Sequence, residues 1–126
     1  MRYLLDVNAL LAWHHGGSTH HAAFHRWKKK RPADELCTCA LVELGFLRVS
    51  MQNFGYTMGQ ATQALASIRR DVGHFLAELP PPELPRWVTR GDETTDGYLC
   101  RLAAAHGLKL ATFDARLKDP VALLLT

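Results

Sequence analysis

The sequence is poor in the features that mark membrane, disulfide-stapled and low-complexity proteins. Its longest apolar stretches, such as "VALLLT" at residues 121–126, fall far short of the roughly 18 to 20 residues needed to span a bilayer. Only three cysteines are present, Cys37, Cys39 and Cys100. They form no CxxC pair, and an odd count argues against a disulfide framework. In "ELCTCA" the first two share one face of a strand and read as reduced small hydrophobes. No basic, apolar and cleavage-site pattern precedes Asp6, so a cytoplasmic protein without a membrane span is expected. No internal repeat or long linker divides the chain.

What is present fits one globular unit. At 126 residues with 48% apolar content, the chain is expected to form a single domain over residues 1–126 around one packed core. A net charge of +3 is compatible with a polyanionic partner without establishing one. The densest basic run, Lys28 to Arg31, closes a predicted helix. Cations are favourable there in any case.

Periodicity and breakers give the order of elements. Arg2 to Asp6 reads as a short buried strand, and Asn8 to Trp13 as a helix stopped by Gly16 and Gly17. Ser18 is placed to cap the next helix, "HHAAFHRWKKK", which Pro32 ends. "ELCTC" is a second strand. From Ala40 to Asn53, Leu41, Leu44, Leu47 and Met51 recur at spacings of three and four, which predicts a helix buried on that face. Thr57 caps a further helix with Ala61, Ala64, Leu65 and Ile68 inward. "HFLAEL" is a third strand, "PELPRWVTR" a short helix, and "TTDGYLCRLAAAHG" a helix capped by Thr94 or Thr95 and stopped at Gly107. "LKLAT" and "VALLLT" are strands four and five. Alternation of this kind predicts a three-layer α/β/α sandwich on a mostly parallel central sheet.

The twelve acidic residues divide into two groups. Asp34, Glu35, Asp71, Glu78, Glu83, Asp92, Glu93 and Asp119 fall in or near loops and ends of elements, where solvated surface accounts for them. Asp6 and Asp114 stand at carboxyl ends of strands, the edge at which open α/β sheets bind ligands. Glu43 and Asp96 stand in the first turns of helices, where helix dipole compensation is the local explanation. If neighbouring strands bring the four together, repulsion raises their pKa values and calls for a cation. Mg²⁺ or Mn²⁺ suits an all-oxygen site, and such a site suits phosphodiester hydrolysis by metal-activated water.

Three segments, "LLDVNAL", "LVELGFLRV" and "TTDGYLCRLAAAHGLKLATFD", resemble in order and spacing the PIN-domain ribonucleases, and within them the VapC toxins of bacterial toxin–antitoxin pairs. The resemblance covers nearly the whole chain. It implies that Asp6, Glu43, Asp96 and Asp114 form the acidic quartet that holds Mg²⁺ or Mn²⁺, with Asp6, Asp96 and Asp114 as ligands and Glu43 holding a ligand water or second ion. Asn8 and Thr112 match the small polar positions that orient those acids. It further implies cleavage of single-stranded or loop RNA, such as tRNA or rRNA loops. A homodimer is expected, inhibited by a small VapB-like antitoxin through which alone operator DNA is bound. Arg48, Lys109 and Arg116 are candidates for RNA contact, and Asp92 or Glu93 for assisting the quartet.

Two other readings compete. On the first, the acidic pocket belongs to a non-catalytic PIN-like domain that binds RNA or protein. "LLDVN" also resembles the strand-end aspartate of haloacid-dehalogenase-type phosphatases, where Asp6 would form an aspartyl-phosphate, but Asn8 stands where those enzymes carry a second acid. His21 and His25, four apart on a helix, have zinc-ligand spacing; Ala22 removes the HExxH base, and a polar helix face is the simpler account. Phe24, Trp27, Phe46 and Phe54 read as core or dimer surface.

Overall fold

A computed structural model describes residues 1–126. Five short strands, β1 (Tyr3–Leu5), β2 (Leu36–Cys39), β3 (His74–Leu76), β4 (Lys109–Thr112) and β5 (Ala122–Leu124), make one sheet in the order β3-β2-β1-β4-β5. Every pairing is parallel, with Leu4 beside both Cys37 and Leu110 and Leu5 beside Ala111. Five α-helices connect them: α1 (Val7–His14), α2 (His21–Lys28), α3 (Ala40–Phe54), α4 (Met58–Arg69) and α5 (Thr94–Ala105).

Strand order decides the layers. From β1 to β2 to β3 the chain steps one way across the sheet; from β3 it returns past β1 to β4. Because parallel crossovers are right-handed, the two directions put their helices on opposite faces. The helices α1 to α4 pack on one another on one side, while α5 packs on β4. The sheet is covered on both faces, so β2 is buried at all four positions. No helix is long and apolar enough to cross a membrane.

The helix over residues 40–54 corrects the expected inward face. Leu44 and Met51 are exposed, and Leu41 and Leu47 are only partly buried, whereas Val42, Gly45, Phe46 and Ser50 are buried. The reason is the contact with α1. A Cβ on Gly45 would lie 2.5 Å from Val7 Cγ2, so the glycine turns toward α1 and lets the two helices meet closely. The face carrying Gly45 goes inward and takes the Glu43 side chain with it.

Three smaller expectations also give way. Residues 82–90 form no helix; only a turn at Arg86–Trp87 interrupts the loop, in a segment whose prolines lack amide donors. Neither Thr94 nor Thr95 caps α5, which follows directly from a 3₁₀ turn over Gly91–Glu93. Ser18 does not cap α2; its Oγ accepts from the His20 amide in the preceding loop. Thr57, by contrast, caps α4 in a capping box, its hydroxyl accepting from the Gln60 amide while Gln60 Oε1 accepts from the Thr57 amide.

Candidate active site

Between β1 and β4 the connections leave in opposite directions, and the crevice at the carboxyl ends of those strands is where this fold class places ligands. Asp6 is the first residue past β1. Its amide continues the ladder by donating to the Ala111 carbonyl at 3.0 Å. Its side chain then caps α1, Oδ1 accepting from the Val7 amide at 2.8 Å. Oδ2 accepts from the Thr112 hydroxyl at 2.8 Å. The residue is only 4% exposed, and burial raises its carboxyl pKa, an effect the two hydrogen bonds partly offset and Asp114 adds to.

Thr112 ties the neighbouring groups to that acid. Its hydroxyl oxygen accepts from Asn8 Nδ2 and from the Asp114 amide, each at 3.1 Å. Asn8 Oδ1 in turn accepts from the Phe113 amide at 3.0 Å. The turn that follows β4 is thereby locked to the start of α1.

Asp96 reaches the same edge from the other face of the sheet, in the first turn of α5. The residue after it is glycine for a steric reason: a Cβ on Gly97 would lie 2.3 Å from Val88 Cγ2. The loop carrying Trp87 can therefore lie against the start of α5. Burial first, then the charges of Asp6 and Asp114, push the Asp96 carboxyl up to about 6. Asp114 is shifted the opposite way, chiefly because Arg116 Nε donates to its Oδ1 at 3.2 Å. Asp96, Asp114, Arg116, Asp92, Arg90 and Trp87 are among the residues lining a cleft of about 190 Å³.

Glu43 is placed differently. Its Oε2 accepts from the Thr38 hydroxyl at 2.8 Å, and its Oε1 accepts from Arg69 Nε at 3.0 Å and from a terminal guanidinium nitrogen of the same arginine. Glu43, Thr38 and Arg69 line a second pocket, of about 360 Å³, with Gly73, His74 and Phe75. No residue is shared with the lining of the Asp96 cleft. Asp6, Asp96 and Asp114 thus act on one another electrostatically, while Glu43 is held by an arginine at the end of α4.

The remaining candidates separate by position. Arg116 lies over the cleft. Arg48 is exposed on α3. Lys109 opens β4 at the opposite, amino edge of the sheet, where its Nζ donates to the Pro120 carbonyl at 3.0 Å. Asp92 lines the cleft and pairs with Arg90 at 2.6 Å. Glu93 staples the preceding loop by accepting from the Thr89 and Arg90 amides. His21 Nδ1 and His25 Nε2 bond the Ala12 and Trp13 carbonyls near the end of α1, which satisfies acceptors a helix terminus leaves open. Sequence reasoning missed Arg69, whose partner is 26 positions away, and Asp119, whose Oδ2 holds Trp87 Nε1 at 2.8 Å rather than facing solvent. No local pattern signals either contact.

The donor set fits a hard divalent ion. It is all carboxylate, and one member is so unwilling to ionise that its pKa stands near 6. No three His, Cys, Asp or Glu side chains converge into a ready-made cage. A hard divalent ion held there would keep several of its waters. The three cysteines are free and buried, so thiol ligation has no accessible partner.

A model of the PIN domain matches residues 3–122. The chain is 35% identical to ribonuclease VapC38 of Mycobacterium tuberculosis, the alignment covering 96% of each protein. It is 33% identical to ribonuclease VapC39 of the same organism, over 94% of this chain and 93% of that one. Among solved structures, Mycobacterium tuberculosis VapC20, a toxin that cleaves the sarcin–ricin loop, superimposes with a TM-score of 0.67 at 16% identity, covering 88% of this chain and 87% of that one.

Proposed function

The chain belongs to the PIN-domain family and, within it, to the VapC ribonuclease toxins. On that premise we propose that it is an Mg²⁺- or Mn²⁺-dependent endoribonuclease that cuts single-stranded or loop RNA. The observation that carries this reading is the gathering of Asp6, Asp96 and Asp114 at the switch point, with Asp96 held up to about 6 by burial and by the other two acids. Such a site is costly without a cation and favourable with one.

Asp6, Asp96 and Asp114 would hold the ion, and Glu43, paired with Arg69 in a pocket of its own, would hold a ligand water or a second ion. When bound, the ion supplies an activated water and neutralises charge on the phosphate under attack. The chain's own residues fix the geometry. Thr112 holds Asp6 Oδ2 in one orientation, Asn8 holds Thr112 and the Phe113 amide, and Arg116 presents a guanidinium at the cleft mouth for a flanking phosphate. Burial of Asp6 keeps bulk water from competing for that carboxylate.

The proposal extends to partners. Exposed Leu44 and Met51 on α3 and a largely apolar groove of about 740 Å³, lined by Leu41, Leu79, Leu84 and Tyr98 beside Thr94 and Thr95, offer surface for a second copy and for a small VapB-like antitoxin. Operator DNA would be bound only through that antitoxin.

A second reading, a domain that binds RNA or protein without cutting, draws on the two ion pairs Arg69–Glu43 and Arg116–Asp114, which already neutralise two of the four acids. An aspartyl-phosphate mechanism is not favoured, because Asn8, which bonds Thr112 and the Phe113 amide, stands where those enzymes carry a second acid. Purified protein incubated with single-stranded and hairpin RNAs is expected to cleave in Mg²⁺ or Mn²⁺ and to stop in EDTA. Expression should arrest growth, with Asp6→Ala relieving the arrest. Mn²⁺ binding that is lost in Asp114→Ala, with no RNA cleaved by the wild type, would establish the non-catalytic reading instead.

A further inference from the structure

Phe113 stands between Thr112 and Asp114, and its amide is held by Asn8. Unlike Phe24 and Phe46, which are fully buried, its ring is only half-buried at the edge of the core. The His20 ring lies flat against it, centroids 4.4 Å apart and planes 14° from parallel. His20 is exposed, and its ring nitrogens have no hydrogen-bond partner in the chain. His14, His15, His21 and His25 differ in this respect, since each spends a ring nitrogen on a contact that joins two elements. No other ring stacks on His20.

From this geometry we propose that His20 and Phe113 form a stacking ledge for one unpaired base of the RNA, next to the phosphate that is cut. A pair serving only to pin the loop to β4 gains most by burying both rings. Here the exposed His20 ring leaves its outer face and unbonded nitrogens to solvent, stacked on a phenylalanine one residue from a site acid. Proteins that recognise single-stranded RNA place unstacked bases on Phe and His rings in this manner. Such stacking tolerates any base but favours those that stack strongly, so purines are preferred at this position. The ledge rests on the ribonuclease reading and adds to it a contact that orients the strand entering the cleft.

The test uses a short single-stranded RNA that the wild type cleaves, with 2-aminopurine placed at either nucleotide flanking the cut. Binding is followed in an Asp96→Asn background, where the strand is held uncut. The base on the ledge is expected to lose fluorescence on binding. Adding His20→Ala should remove the quench and weaken binding about 5- to 150-fold. His20→Trp should restore both, and Mn²⁺ affinity measured by calorimetry on the His20 variants with Asp96 intact should stay at the wild-type value. Unchanged quench and affinity in the His20→Ala protein would overturn the ledge while leaving the ribonuclease reading in place. So would failure of His20→Trp to rescue a variant that melts at the same temperature as its parent. A wild type that cleaves no RNA would overturn both.

Discussion

One hydroxyl organises the first acid of the site. Thr112 donates to Asp6 and accepts from Asn8 and from the Asp114 amide, so Thr112→Val, nearly isosteric, strands three polar groups at once. Equilibrium denaturation should show a loss of about 1–3 kcal/mol, and calorimetry a Mn²⁺ affinity lowered roughly 10- to 100-fold; Thr112→Ser should stay near wild type. Asp96 gives a pH signature. In the folded, metal-free chain it titrates at about 6, against about 3.9 in an unfolded chain. Its penalty on folding is therefore full above pH 6 and absent below about pH 4. Asp96→Asn should raise the metal-free Tm at pH 7 by a few degrees, about 1 kcal/mol after allowing for solvent screening, and the gain should vanish as pH falls through 4. Saturating Mg²⁺ should reverse the order, since the wild type alone gains about 2.7 kcal/mol at a hundred times Kd. His15, which burial pushes down to about 4, acts in the opposite sense. It withdraws stability as pH falls from 6.5 toward 4, so the variant must be compared with wild type at each pH. Asp6 and Asp96 stand out in the sequence because a strand end and a first helical turn are local features. The pairing of Glu43 with Arg69 joins α3 to the end of α4, and nothing near either residue announces it.

At the scale of the element, α3 shows how a correct periodicity can select the wrong face. Apolar residues at 41, 44, 47 and 51 and at 42, 46 and 49 both satisfy helical spacing. What decides between them is Gly45 against Val7, a contact between two helices. Phe46→Ala should cost about 3–5 kcal/mol, while Leu44→Ala should stay within about 0.5 kcal/mol in the monomer. Gly45→Ala, which drives a methyl into Val7, should cost about 1–3 kcal/mol. Denaturant midpoints on the three variants check this ordering. Capping was read well where the box is complete, at Thr57 and Gln60, and poorly at α5, where a 3₁₀ turn feeds the helix without a side-chain cap. The loop before α5, expected as a short helix, is held open by its prolines and by the seat of Val88 on Gly97.

For the molecule as a whole, alternation of short apolar strands with helices was enough to give a layered α/β fold, because a chain of this length has few other ways to cover both faces of a parallel sheet. Strand order is not written locally. It is the order β3-β2-β1-β4-β5 that sets Asp6 beside Asp114 and brings the first turn of α5 to the same edge. The function proposed here depends on that convergence acting as one site. It is tested most directly by the initial rate of RNA cleavage in saturating Mn²⁺, wild type against Asp96→Asn, both shown to be folded. The expected result is a wild-type rate abolished by EDTA and lowered at least about 100-fold by the substitution. Cleavage by Asp96→Asn within about threefold of wild type, or a wild-type rate undiminished in EDTA, would contradict it.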